Sequence, residues 1–182
     1  EVHKIVMKTA EELRALNKTR AIDQVCFVTD DYKRTLRYLT EVLDYGPWTI
    51  IANTNECAFH VKKDGEPVTE PWKFYIAFTQ VGEMHIEVIQ PEYGPNPYSA
   101  FLEKHGPGIH HIKESIYSSD DDLHRFMKAL EAKGPAVNYY GEYMEDIYYY
   151  ANTYDALGAY YEVGNSAVCS GHPQLVGYYP EA

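Results

Sequence analysis

The sequence predicts an α+β fold built from one unit used twice, and three observations carry that prediction. Residues 21–25 read Ala-Ile-Asp-Gln-Val and residues 108–112 read Gly-Ile-His-His-Ile, and each opens a stretch that runs strand, helix, glycine and further strand. The spacings agree: Gln24 and His111 are 87 residues apart, and Gly46 and Gly134 are 88 apart. Each copy also closes on an apolar-alternating segment that carries one glutamate, Glu87 in the first and Glu162 in the second.

The elements follow in order. Residues 1–20 form an N-terminal extension in which Thr9, followed three residues on by Glu12, gives the capping-box pattern of a short helix. The first module is expected over 21–91. Ile22 to Thr29 reads as a strand, Asp30 or Asp31 can cap a helix carrying Leu36, Leu39 and Leu43, and Gly46-Pro47 stops it. Trp48 to Ala52, Cys57 to Val61, Lys73 to Thr79 and His85 to Gln90 are candidate strands, with residues 63–67 as a turn. Four segments compete for three places, which puts one of the first two in question.

Residues 92–107 are the expected linker, rich in proline, with a helical turn available at Tyr98 to Lys104. The second module is expected over 108–163. Gly108 to Tyr117 is its first strand, Ser119 or Asp120 caps a helix holding Leu123, Phe126, Met127 and Leu130, and Gly134 ends it as Gly46 ended the first. Ala136 to Tyr140, Ile147 to Asn152 and Ala159 to Val163 are three more strands. Residues 164–182 read as a tail rich in Gly, Pro and Tyr.

Composition excludes several function classes. The chain has 182 residues, 45% of them hydrophobic, enough to bury a core. Its net charge of −11, without a cluster of Lys and Arg, opposes nucleic acid and anionic bilayers as partners. The same charge obstructs a polyanionic ligand such as a coenzyme A thioester unless basic residues at the site's mouth offset it. No apolar run reaches the roughly 18 residues of a membrane span, and the opening residues lack the apolar stretch of a secretory signal, although the missing initial Met leaves room for a trimmed leader. Cys26, Cys57 and Cys169 are too few and scattered for a disulfide framework, so cytoplasm is the expected compartment. The 18 tyrosines suit sheet faces and a subunit interface first, and stacking on a ligand second.

One ligand-type residue near the start of each copy and one near its end offer four side chains, Gln24, Glu87, His111 and Glu162. Strand alternation puts Ile22 with Gln24, His85 with Glu87, and Ile109 with His111 on shared faces. Two carboxylates, an imidazole and an amide oxygen suit Zn, Ni, Co, Mn or Fe(II) and not copper(I). Taken singly, each has a plainer reading. Gln24 and His111 could be hydrogen-bonded core residues, and either glutamate could face solvent; their coincidence in repeated frames favours a metal site. Alternation sends His110 to the opposite face, where it packs or caps, while His60, His105, His124 and His172 read as surface residues. The run Asp120-Asp121-Asp122 reads as the solvated first turn of a helix.

With these residues in place the chain resembles the vicinal oxygen chelate (glyoxalase/bleomycin resistance/dioxygenase) superfamily over residues 21–163. It is most similar to methylmalonyl-CoA epimerase-like members, through Phe101-Leu-Glu-Lys-His-Gly-Pro-Gly-Ile-His-His-Ile112. The resemblance implies paired βαβββ modules forming a cupped, mixed-sheet pair of half-barrels, with the N-terminal helix and C-terminal tail as additions. It places Glu87 and Glu162 at the family's strand-end ligand positions. Gln24 stands where a His is common, a replacement also found in glyoxalase I members.

The resemblance further implies a divalent metal cofactor and a homodimer acting on a small molecule, most simply a 2-substituted acyl-CoA thioester. The expected chemistry is an enediolate formed by proton removal next to a carbonyl. Returning the proton to the opposite face makes an epimerase or isomerase; returning it to the neighbouring carbon makes a glyoxalase I-type lactoylglutathione lyase. An extradiol-type dioxygenase ranks third, since those members use two His and one carboxylate. A metal-free, antibiotic-sequestering binding protein is the reading of a different class. The epimerases' catalytic glutamate has no counterpart in Lys73–Thr79, which leaves Glu162, Glu87 or His85 as the base. The long tail suggests a reshaped pocket.

Overall fold

Local signals set most element boundaries. In a computed structural model, which describes residues 5–165 and 171–181, the chain order is α1 (Ala10–Asn17), β1 (Ala21–Val28), α2 (Tyr32–Leu43), β2 (Trp48–Thr54), β3 (Ala58–Lys63), β4 (Glu66–Pro67), β5 (Lys73–Val81) and β6 (Met84–Tyr93). There follow α3 (Pro97–His105), β7 (Gly108–Ser115), α4 (Asp120–Glu131), β8 (Val137–Tyr143), β9 (Asp146–Ala151), α5 (Tyr154–Leu157), β10 (Tyr160–Gly164) and β11 (Leu175–Tyr179). Cys169 lies outside the described residues.

Thr9 and Glu12 cap α1 reciprocally. Asp31, rather than Asp30, caps α2 by accepting from the Arg34 N–H at 3.0 Å, and Ser119 caps α4 by accepting from the Asp122 N–H at 3.1 Å. Both helices stop before the glycines expected to end them. Asp44 takes the left-handed conformation after α2, and Ala132 follows α4.

The strands form one sheet in the order β11-β2-β5-β6-β1-β7-β10-β9-β8-β3-β4. Its first half, β2-β5-β6-β1, has the same order as its second, β8-β9-β10-β7, and the halves meet where β1 and β7 run antiparallel. The fold is therefore α+β, a mixed, curled sheet of paired half-barrels, and the two halves pair within one chain. Outward-facing Ile86 and Val88 pack with Leu36, Leu39 and Trp48 beneath α2, while Val163 and Ala151 pack with Leu123 and Met127 beneath α4. Burying an aliphatic side chain of this size contributes about 1.5–3 kcal/mol, which holds each helix to the convex face. A third core, inside the cup, joins Cys26, Trp72, Phe74 and Tyr150 to Tyr98 and Phe101 of α3.

All four competing segments are strands, but β3 leaves the first half and pairs with β8. Edge strands accept any chain that presents free backbone groups, and β8 offers such an edge. The expected linker is shorter than its sequence suggests, because β6 runs through Pro91 to Tyr93 and α3 takes nine residues. The tail adds β11 to the opposite edge, against β2. The four-residue helix α5 carries no sequence signal of comparable strength.

Candidate metal and proton-transfer site

Across β6, β1, β7 and β10 the register sets two rows of side chains on the concave face. His85, Gln24, Lys113 and Glu162 form one row, and Glu87, Cys26, His111 and Tyr160 the next. Gln24, Glu87, His111 and Glu162 therefore meet in space although they come from four strands. The His111 Nε2–H donates to Glu162 Oε2 at 2.8 Å, Glu87 Oε2 lies 3.8 Å from the same nitrogen, and the Gln24 amide nitrogen lies 3.3 Å from it.

The β1–β7 pairing carries two β-bulges, and they explain where the expected alternation fails. Asp23 is the extra residue between Ile22 and Gln24, and His110 is the extra residue between Ile109 and His111. These are equivalent positions of the repeated pentapeptide. A bulge turns two neighbouring side chains toward one side, so Asp23 lines the concave face beside Gln24, while Ile22 and Ile109 are exposed at 46% and 43%. For the same reason His110 does not point away. It is fully buried with His111, and the two Nδ1 atoms share a proton across 2.9 Å. The rings of Tyr98, Phe101, Tyr150 and Tyr160 surround it, and burial holds it well below the usual imidazole range.

Two of the remaining histidines, His105 and His124, are half-buried rather than on the surface, and His172 is exposed as expected. His105 stacks on Tyr154 at 4.1 Å, His124 bonds the Tyr149 hydroxyl at 2.6 Å, and His172 from the tail stands against Phe78 at the cavity. His60 is exposed and faces Glu142.

Lys113, two residues beyond His111 on the same face, is the main functional candidate the sequence reading passes over. Its side chain is 7% exposed, and Nζ donates to Glu162 Oε1 at 3.1 Å with Asp146 Oδ1 at 3.8 Å. Gly164 makes room for it, since a Cβ there would stand 2.7 Å from Lys113 Cε and 2.9 Å from the Ile147 carbonyl oxygen. Gly164→Ala is expected to lose about 1–3 kcal/mol of stability through this crowding, measurable by thermal melting, and an unchanged melt would show that Lys113 can move aside freely.

The ion pairing splits the two glutamates. Burial alone would raise Glu162, but Lys113 and His111 outweigh it and hold the group down at about 2. Glu87 has no such lysine in contact, so burial dominates over His111 and pushes it up to about 7. Asp146 is raised by burial against Lys113, and His85 is lowered by burial and by Lys113. The site thus offers one fixed carboxylate, one carboxylate that titrates near neutrality, and a neutral imidazole at His85 whose Nδ1 lies 3.4 Å from Gln24 Oε1.

These donors fit a divalent ion. Two carboxylate oxygens and an imidazole nitrogen already converge, and a half-turn of the Gln24 amide brings Oε1 to the centre in place of its nitrogen. Among the described residues the donor atoms that lie mutually within 4.8 Å are those of Cys26, Glu87 and His111, while Glu162 joins this group only through its 2.8 Å contact with His111. Burial and the two glutamates keep that thiol protonated.

Gln24, Glu87 and Glu162 line a chamber of about 480 Å³ with walls from both halves of the sheet. Residues 23–150 match the family model of the Glyoxalase/Bleomycin resistance protein/Dioxygenase superfamily. The chain belongs to this superfamily. Superfamily members commonly use divalent metals, in keeping with the donor set. The sheet is similar to that of hypothetical protein BH1468 of Bacillus halodurans C-125, at TM-score 0.57 and 19% identity over 84% of this chain and 99% of that one. It is also similar to a methylmalonyl-CoA epimerase of Streptomyces coelicolor in complex with 2-nitronate-propionyl-CoA, at TM-score 0.51 and 16% identity over 83% and 98% of the two chains. The Mycobacterium tuberculosis methylmalonyl-CoA epimerase gives TM-score 0.51 at 16% identity, over 80% and 87%. At these identities the likeness is one of fold. A 47-residue segment is 40% identical to the uncharacterized protein YqjC of Bacillus subtilis (strain 168), 26% of this chain and 34% of that protein, so the match spans about a third of that relative's length.

Among the described residues, no helix of this glyoxalase-superfamily chain is long and apolar enough to cross a membrane.

Proposed function

We propose that the protein is a metal-dependent enzyme that moves a proton on the carbon next to a carbonyl, an epimerase or isomerase working through an enediolate. The observation that carries this reading is the meeting of Gln24, Glu87, His111 and Glu162 around one imidazole nitrogen, with the two carboxylates split in proton affinity. Those four residues would hold the ion. When bound, a divalent metal polarises the substrate oxygens and makes the neighbouring carbon acidic.

The chain's own groups divide the remaining work. Both Glu162 oxygens are engaged, one by His111 and one by Lys113, so this carboxylate stays anionic and fixed. Glu87, pushed up to about 7 where no ion is bound, is the group we assign to proton transfer, a role in which it would have to leave the ion. His85 faces the same chamber as a neutral imidazole. With the Gln24 oxygen turned inward, the amide N–H donates to His85 Nδ1, leaving its Nε2–H as a donor to substrate.

The superfamily's epimerase structures make a 2-substituted acyl-CoA one candidate substrate and a glyoxalase I-type thiol adduct another. A metal-free binding protein is supported by a different observation, the five tyrosines, Tyr98, Tyr117, Tyr143, Tyr148 and Tyr150, that line the chamber. The single histidine in the donor set keeps a dioxygenase third. Exposed Leu175, Val176 and Tyr178 on edge strand β11 support a homodimer, and the free Cys26 and Cys57 support a cytoplasmic setting.

Metal titration against pH tests the reading. Glu87 is raised above its ordinary value, so below about 7 its proton competes with the ion; affinity for Zn, Ni, Co or Mn is expected to rise with pH up to about 7 and level above it. Uptake of about one ion per chain with that profile supports the site. Absence of uptake for every ion would overturn it in favour of the binding protein.

A further inference from the structure

We propose that His110 is a positioning residue for His111: a neutral imidazole whose Nδ1 can donate to or accept from His111 Nδ1, and which thereby lets His111 offer a bare Nε2 to an ion without leaving its other nitrogen unpaired. This rests on the metal-enzyme reading for the use made of Nε2 and deepens it by naming the group that governs the His111 tautomer.

The geometry of the pair is the first reason. The two Nδ1 atoms lie 2.9 Å apart, and both residues are 0% exposed. Two doubly protonated rings would set N–H against N–H at that distance, so one of the two nitrogens carries a lone pair. Among the described residues His111 Nδ1 has no other hydrogen-bond partner, its Nε2 being the atom that meets Gln24, Glu87 and Glu162. The β-bulge at His110 is what brings the ring to this side of the sheet, since regular alternation would send it to the other.

The far side of His110 is the second reason. Its Nε2 is buried without a hydrogen-bond partner. Around the ring stand Tyr98, Phe101, Tyr150 and Tyr160, with centroids at 4.9, 5.1, 5.2 and 5.0 Å. No acceptor pins a proton on Nε2 and no donor claims its lone pair, so the tautomer of His110 answers to His111 alone.

The chemistry of an imidazole is the third reason. Without an ion, the His111 Nε2–H donates to Glu162 Oε2 at 2.8 Å, which leaves a lone pair on His111 Nδ1 for the His110 Nδ1–H. For His111 to serve as a neutral ligand through Nε2, its proton must sit on Nδ1 and be received by an acceptor. His110 then accepts at Nδ1 and carries its own proton on Nε2. One proton leaves His111 Nε2, one passes between the Nδ1 atoms and one arrives at His110 Nε2, so the charge of the pair does not change. A carboxylate at this place could only accept and an ammonium could only donate.

NMR of isotope-labelled imidazole nitrogens, with zinc titrations of His110→Phe and His110→Asn by chelator competition, tests this. The ion-free protein is expected to show coupling between the two Nδ1 nuclei across their hydrogen bond, with His111 as the Nε2–H tautomer. On loading with zinc the coupling should persist while His111 becomes the Nδ1–H tautomer and His110 the Nε2–H tautomer. Phenylalanine fills the aromatic cage but accepts nothing, whereas the asparagine amide stands near the place of Nδ1 and can donate or accept. Zinc affinity is therefore expected to fall by about 10- to 100-fold in His110→Phe and to stay within about threefold of the parent in His110→Asn. The NMR readings are made on the parent chain, so they decide the matter even if a variant does not fold. Absence of the coupling, an unchanged tautomer on loading, full affinity in His110→Phe, or equal losses in both variants would overturn the proposal. Coupling in the ion-free protein with no uptake of zinc, nickel, cobalt or manganese would support the pairing while overturning the metal-enzyme reading.

Discussion

Replacing Glu162 by glutamine is expected to cost the site at least about a hundredfold in metal affinity, and to slow exchange of substrate carbon-bound protons with deuterated solvent by about a thousandfold. The size follows from what this carboxylate does. It is 4% exposed, accepts from the His111 Nε2–H at 2.8 Å through one oxygen, and accepts from Lys113 at 3.1 Å through the other. Glutamine keeps the shape but can present only one oxygen, and its amide nitrogen then confronts either an imidazole N–H or an ammonium. Metal content by mass spectrometry and the exchange rate by NMR read the two losses separately. Glu162→Asp should recover part of the metal but not all of it, since the shorter side chain cannot reach both partners. If Glu162→Gln keeps stoichiometric metal and full exchange, Glu162 is a structural partner of Lys113 and the metal lies elsewhere.

Lys113→Met is expected to lower stability by about 3–5 kcal/mol, equivalent to a fall of roughly 10 °C in Tm for a chain of this length. Removing the ammonium leaves Asp146 without its cation and Glu162 with only the His111 N–H as a partner. The pH dependence has a definite sign. With Lys113 present, Glu162 is held down at about 2, so its contribution is present above the ordinary carboxylate value near 4.5 and is lost as pH falls toward 2. In Lys113→Met that source of acid sensitivity should shrink, and the variant should lose less stability than the parent between pH 5 and pH 3. The double variant Lys113→Met/Asp146→Asn should regain part of the loss, which distinguishes electrostatic repulsion from a packing defect. Equal melting of Lys113→Met and the parent at pH 7 would show that the pair contributes nothing net.

The repeat was legible because it rests on local chemistry. Hydroxyl and carboxylate caps at Thr9, Asp31 and Ser119, period-2 alternation through β6 and β10, and the Leu36–Leu39 stripe of α2 are all decided within a few residues of chain. The same frames put Gln24, Glu87, His111 and Glu162 at corresponding ends of their strands. What alternation misjudged lies at the two bulges. A single inserted residue reverses the faces that follow it, and nothing in Ala-Ile-Asp-Gln-Val or Gly-Ile-His-His-Ile states which residue is extra. That is why His110 was expected to point away and instead buries its ring against His111, and why Asp23 enters the chamber beside Gln24.

Lys113 is a related case. Its alternation from His111 was visible, but a lysine two residues from a metal-type histidine reads as surface until Asp146 and Glu162 are brought around it. Those partners are 33 and 49 residues away in sequence, and only the register of β7 with β10 and of β10 with β9 unites them.

The sequence by itself determined that one strand–helix–strand unit is used twice, that ligand-type residues recur at matching places, and that the chain carries a net charge of −11. Patterning, capping and net charge need no knowledge of what lies across the fold. The tertiary structure decided that β3 and β11 cross to complete the edges of the other elements, that both halves pair within one chain through β1 and β7, and that Lys113 fixes Glu162 while Glu87 is left to titrate near neutrality. Each of these depends on strand register and on burial, and both are set only when segments far apart in sequence are packed against one another.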